Sequence, residues 1–91
     1  MRIVYYSGAL KDLQTIHSYI ARDNAKAADE VVARIRKSVR LLERVPHMGR
    51  PGRRGVRFVS VPGLPYVVIH RIRQDTVAIV AVFHTARNRQ F

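Results

Sequence analysis

The last third of the chain constrains the fold most. Residues 56–61, 66–73 and 77–84 are three strand-length runs rich in valine, isoleucine and aromatic residues. Pro62-Gly63 separates the first from the second, and Gln74-Asp75-Thr76 separates the second from the third. Links this short leave no room for a crossover, so consecutive strands must lie antiparallel. The expectation is a three-stranded antiparallel meander.

The residues ahead of it read as a strand and two helices. Residues 2–6 (RIVYY) are β-branched and aromatic and predict a first strand. From Ala9 the period changes: Leu10, Leu13, Ile16 or His17, and Ile20 recur at three- and four-residue steps and form one apolar stripe. Ser7 is the expected N-cap, because its hydroxyl can accept a free amide of the first turn. Asp23-Asn24 ends this helix, and Asn24 is placed to cap a second one. Ala28, Val32, Ile35, Val39 and Leu42 make a narrow seam suited to packing against a neighbouring helix. Pro46 disfavours the helical region for Val45 and stops the run. So short a link predicts an antiparallel helix hairpin. Residues 46–55 (PHMGRPGRRG) hold three glycines and two prolines and read as a loop. The expected architecture is α+β in a single domain over residues 1–91. It has an N-terminal strand, the helix hairpin and the meander, with both helices on one face of the sheet.

Charge narrows the function. The chain has 17 lysines and arginines against 6 carboxylates, a net +11 in 91 residues. Residues 50–91 hold eight arginines and a single carboxylate, Asp75. A field this strong predicts attraction to nucleic acid or to an acidic protein. The absence of cysteine excludes disulfides and thiolate catalysis. No apolar run approaches the ~20 residues that span a bilayer, and residues 1–20 lack a signal-peptide core. A cytoplasmic location is the expectation.

Side chains alternate across a strand, so each strand divides into two sets. Val56, Phe58, Tyr66, Val68, Ile72, Val77, Ile79 and Phe83 form the bulkier set and are assigned to the core beneath the helices, with His70 as a structural member. The second set holds Arg57, Val59, Val61, Val67, Ile69, Arg71, Arg73, Val80, Val82 and His84. It is assigned to the face without helices. On that assignment Val59, Val61, Val67, Ile69, Val80 and Val82 offer an apolar partner site. Arg57, Arg71, Arg73 and His84 meet an anion beside it, and Arg50, Arg53 and Arg54 are displayed on the preceding loop.

Most catalytic chemistry finds no support. Five of the six carboxylates fall before residue 50, so no acid pair accompanies the arginines. His17, His47, His70 and His84 lack ligand spacing, so no metal is expected. There is no phosphate-binding glycine loop, and no cofactor is implied. One scheme stays open. RNA can be cleaved by its own 2′-hydroxyl, with His84 moving protons and Arg57, Arg71 and Arg87 stabilising the charged phosphorane.

The order of motifs resembles the RelE/ParE superfamily of bacterial toxin–antitoxin toxins. These are A-x-x-D-L-x-x-I-x-x-Y-I followed by Asp23-Asn24, then P-x-x-G-R-P-G from Pro46, G-x-R at Gly55 and Arg57, PYVVIHRI from Pro65, and VFHTAR from Val82. They cover nearly the whole chain. The resemblance implies a growth-arresting toxin neutralised by an acidic antitoxin that folds onto it, with operator DNA bound only through that antitoxin. RelE-like members cleave mRNA on the ribosome, and ParE-like members poison DNA gyrase. The chain ends in Asn88-Arg89-Gln90-Phe91, without the terminal tyrosine of the RelE pattern. That ending, the long second helix and the His84-x-x-Arg87 spacing favour the ParE branch. The ribosome-dependent nuclease is the alternative, and a non-toxic nucleic-acid-binding module is a third reading. Under the favoured reading Arg50, Arg53, Arg54, Arg57, Arg71, Arg73, Arg87 and Arg89 are the residues expected to bind the target.

Overall fold

The computed structural model describes residues 1–86. The chain runs β1 (Arg2–Tyr5), α1 (Ser7–Ala21), α2 (Ala25–Leu41), β2 (Arg50–Pro51), a single 3₁₀ turn (Arg53–Gly55), β3 (Val56–Ser60), β4 (Tyr66–Arg73) and β5 (Thr76–His84). One mixed sheet has the order β1-β5-β4-β3-β2. The β3-β4-β5 meander is antiparallel throughout. β1 joins it in parallel beside β5, with Ile3 opposite Val77 and Tyr5 opposite Ile79. Parallel neighbours need a long crossover, and the helix hairpin supplies part of it. The parallel pairing and the two-residue β2 at the opposite edge are both additions to the sequence reading.

β1 passes into α1 with no separate cap. Tyr6 is still extended and donates its N–H to the Ile79 carbonyl at 2.9 Å, as the last rung of the ladder. Its own carbonyl accepts the Leu10 amide at 3.1 Å. Tyr6 is therefore the N-cap, without a side-chain bond, and the expected cap Ser7 is already helical. Asn24 behaves as expected: its side chain accepts the Ala27 amide at 2.9 Å. Across the hairpin His17 Nε2 meets Asp29 Oδ1 at 2.7 Å.

Ala9, Leu13 and Ile16 of α1, Ile35 and Val39 of α2, and Leu42 just beyond it form the helical half of the core. Leu10, expected in this stripe, is 42% exposed, and Ala9 packs in its place. From the sheet come Val59, Val61, Tyr66, Val68, Val77, Ile79 and Val82. Burying one such aliphatic side chain contributes roughly 1.5–3 kcal/mol.

Two strands face differently from the sequence reading. Val59 pairs with Val68 and Arg57 with His70, so Arg57, Val59 and Val61 belong to the helix side. Phe58 pairs with Ile69 on the far side, and Val56 with Arg71. β5 agrees with the reading through Ile79. There the register slips: Ile69 pairs with Ala81 while His70 pairs with Ile79, which leaves Val80 as a bulge. A bulge reverses the parity of every later residue in its strand. Val82 and His84 therefore turn towards the helices, and Phe83 turns away. The backbone N–H of Val82 leaves the ladder here and donates to Asp12 Oδ2 at 2.9 Å.

Asp12 thus clamps α1 to β5 through a charge-assisted bond in a partly buried setting. Asp12→Ala is expected to lower unfolding free energy by about 2 kcal/mol, and Asp12→Asn by roughly half of that. Urea denaturation of both variants measures the difference.

Candidate functional site

Six of the expected arginines gather at one end of the sheet. β3 begins and β4 ends there, so Arg57, Arg71 and Arg73 are near neighbours, and Arg50, Arg53 and Arg54 lie on the segment entering β3. That segment is held against the sheet by several groups. Arg50 pairs with Phe58 and stacks its guanidinium over the ring at 5.2 Å, a cation–π arrangement. Gly52 lies under the same ring. A Cβ at this position would run into the Phe58 ring, so any larger residue would have to displace the ring on which Arg50 stacks. Arg57 donates from Nη1 to the Gly49 carbonyl at 3.0 Å. Arg54 takes a left-handed backbone conformation, φ 59°, which costs a non-glycine residue about 1 kcal/mol. Arg53, Arg54 and Arg73 are exposed.

Among the described residues the one ion pair is His17–Asp29, so these guanidinium groups have no carboxylate partner there. The Nε of Arg71 is buried without a hydrogen bond. A group of arginines without acidic partners attracts an anionic surface.

His70 supports this end from inside the sheet. It is fully buried, and its Nε2 meets the Pro46 carbonyl at 2.8 Å, which tethers the start of the arginine-bearing segment to β4. Its Nδ1 has no partner. Burial, reinforced by the nearby charges of Arg57 and His47 and opposed by the Pro46 bond, holds its pKa below the ordinary imidazole value.

His84 is at the other end. It pairs with Tyr66, whose ring it meets edge-on at 5.3 Å. Its Nδ1 accepts the Ala86 amide at 3.1 Å, so the neutral ring carries its proton on Nε2. With Asp12, Thr15, Ile16 and Tyr19 it lines a cavity of about 200 Å³ beneath α1. Arg71 is five residues further along β4 than Tyr66, which is about 17 Å at the rise of a strand. It also points to the opposite face. Arg57 shares the face of His84 but lies beside His70, about 13 Å along β4 and two strands away.

The expectation that Arg57, Arg71, Arg73 and His84 share one open face is therefore corrected. Arg71 and Arg73 are on the far side, and Arg57 and His84 are on the helix side at opposite ends. The apolar partner site is corrected with it. Val59, Val61 and Val82 are core residues beneath the helices, Val80 is the half-buried bulge, and Val67 and Ile69 are on the far face but buried. Arg87 and Arg89 lie outside the described residues. Among the described residues no three His, Cys, Asp or Glu side chains cluster as a metal site would need.

A family model of the ParE toxin of the type II toxin–antitoxin system parDE matches residues 3–89. The chain belongs to the ParE toxin family.

A Sinorhizobium fredii protein named "Putative toxin Y4kP" is 40% identical over 84 residues, covering 91% of this chain and 86% of that protein. The chromosomal ParDE system of P. aeruginosa contains a chain with the same fold, at a TM-score of 0.84 and 24% identity, covering 92% of this chain and 95% of that one. The RelBE2 toxin–antitoxin complex of Mycobacterium tuberculosis contains a more distant one, at a TM-score of 0.56 and 26% identity, covering 91% and 95%. The RelE/ParE superfamily resemblance read from the sequence is thus established, and so is the α+β fold. No helix among the described residues is long and apolar enough to cross a membrane.

For this ParE-family chain the neutral His70 sets a pH dependence. Its depressed pKa means that the unfolded chain takes up the proton first as pH falls. The His70 contribution is fully present above about pH 6.5 and is lost progressively below it, towards the lower folded value. Denaturation midpoints at pH 7.5 and 5.5 are expected to show this loss. In His70→Gln, which keeps a donor for Pro46 but does not titrate, the loss attributable to this site should vanish.

Proposed function

We propose that this chain arrests growth by binding DNA gyrase and that a cognate acidic antitoxin neutralises it. The proposed target surface is the arginine end of the sheet, with Arg50, Arg53, Arg54, Arg57, Arg71 and Arg73; Arg87 and Arg89, outside the described residues, are proposed as target-binding from the sequence alone. Membership of the ParE family sets the frame. The observation that carries the choice of mechanism is the distance between His84 and the arginines. Cleaving RNA at one phosphate needs a proton-moving group and positive charge within hydrogen-bond reach of the same atoms. Among the described residues His84 is separated from Arg57 and Arg71 by about 13–17 Å along β4. Binding requires no such convergence. It is favoured by positive charge displayed on an anchored segment.

An antitoxin partner is supported by the solved relatives, which come from a ParDE system and a RelBE2 complex. It is also supported by charge, because a net +11 is best neutralised by an acidic chain that wraps it.

Induced alone, the full chain is expected to switch on an SOS reporter and produce double-strand breaks while protein synthesis continues. Codon-positioned cuts in translated messages with intact chromosomes would instead establish the RelE-like nuclease. Arg53→Glu combined with Arg54→Glu reverses two exposed charges without touching the core. This variant is expected to need at least about tenfold more inducer for the same arrest. Unchanged potency would remove these arginines from the target surface.

A further inference from the structure

With Val59, Val61 and Val82 committed to the core, any partner that uses apolar contact must find it elsewhere. The C-terminal half of α2 offers such a place. Arg34, Lys37, Ser38 and Leu41 recur at steps of three, one and three, so they form one stripe along the helix. Together with Val61 and Pro62 they line a cleft of about 250 Å³ between α2 and the β3–β4 turn. Leu41 is 51% exposed and lines this cleft, so its side chain is open to a partner. Arg34 is already set in place: its guanidinium donates to the Pro62 carbonyl. It also crosses the space over Gly63, where a Cβ would fall 2.8 Å from its nitrogen. The surrounding surface is basic, since residues 34–44 carry Arg34, Arg36, Lys37, Arg40 and Arg44 against Glu43 alone.

We propose that this cleft seats an acidic amphipathic segment of the antitoxin, with an aliphatic side chain packed on Leu41 and carboxylates three or four residues away meeting Arg34 and Lys37. The proposal rests on the toxin reading above. Charge selects this occupant. A second copy of a +11 chain would be repelled, and a nucleic acid has no use for an exposed leucine at the mouth of a cleft. Arg34 needs little further ordering to receive a carboxylate, which lowers the cost of binding. The span from Arg34 to Leu41 is about 10 Å, two turns of helix, so the site reads a short motif.

The test uses the purified full chain and a labelled helical peptide of roughly sixteen residues, with leucine and glutamate on one face. A scrambled peptide of the same composition and a duplex DNA serve as competitors. The amphipathic peptide should bind at least about tenfold more tightly than the scrambled one. Lys37→Glu and Leu41→Asp should each weaken it by about that factor. Both positions are exposed, and circular dichroism checks that the variants fold. Equal binding of the two peptides, or no effect of either variant, would overturn the proposal. Displacement of the peptide by DNA through Lys37 and Leu41 would overturn it in favour of a nucleic-acid site. In cells, Leu41→Asp should still arrest growth but escape neutralisation by the product of the adjacent reading frame. If the unaltered chain arrests nothing, the toxin reading fails, while the peptide measurement still decides the cleft.

Discussion

The fold turns on one hydrogen bond between a carboxylate and a strand. Asp12 on α1 accepts the backbone N–H of Val82 at 2.9 Å, where the Val80 bulge has freed that amide from its ladder. A buried amide without a partner costs about 1–3 kcal/mol, so the bulge needs an acceptor. The first helix supplies one at the position where it crosses the sheet. The bulge sets the facing of the rest of β5, and this bond holds that end of the strand against α1. Val82 enters the core, His84 packs edge-on to Tyr66 under α1, and Phe83 is left on the far side.

That turn separates the chemistry of the sheet into two ends. At one end are the arginines, with no carboxylate partner among the described residues and a backbone held by His70, Gly52 and the Arg57–Gly49 bond. At the other is His84, with one ring nitrogen occupied by Ala86 and the ring set beside a small cavity. A nuclease has to bring such groups together; a toxin that binds its target does not. The ParE family assignment and the layout of the site thus bear on function from independent directions.

Positive charge in excess destabilises a small domain by self-repulsion. Here the helix hairpin and sheet offset it with a core of Ile35, Val39, Leu42, Val68, Val77 and Ile79, each almost wholly buried. The surplus charge is left in two places, the arginine end of the sheet and the C-terminal half of α2. The proposed target surface and the proposed antitoxin cleft thus fall on different residues.

The first strand, both helices, the antiparallel meander, the Asn24 cap and the arginine-rich segment are all legible in the order of the amino acids. Short turns, helical periodicity and local capping each act within a few residues, so one stretch of chain is enough to show them. The ordered motifs also suffice to place the chain in its superfamily. The facing of β3 and of the end of β5, and the parallel pairing of β1 with β5, emerge only in three dimensions. Alternation fixes a face only when one parity is polar. In β3 both Val56 with Phe58 and Val59 with Val61 are apolar, and Arg57 shares its parity with the buried pair because its guanidinium escapes to the Gly49 carbonyl. The run VAIVAVF at residues 77–83 is apolar on both parities, so nothing in it marks the bulge. The partner that resolves it, Asp12, is 70 residues away. Long-range pairing of this kind appears in space and has no local signal in the chain.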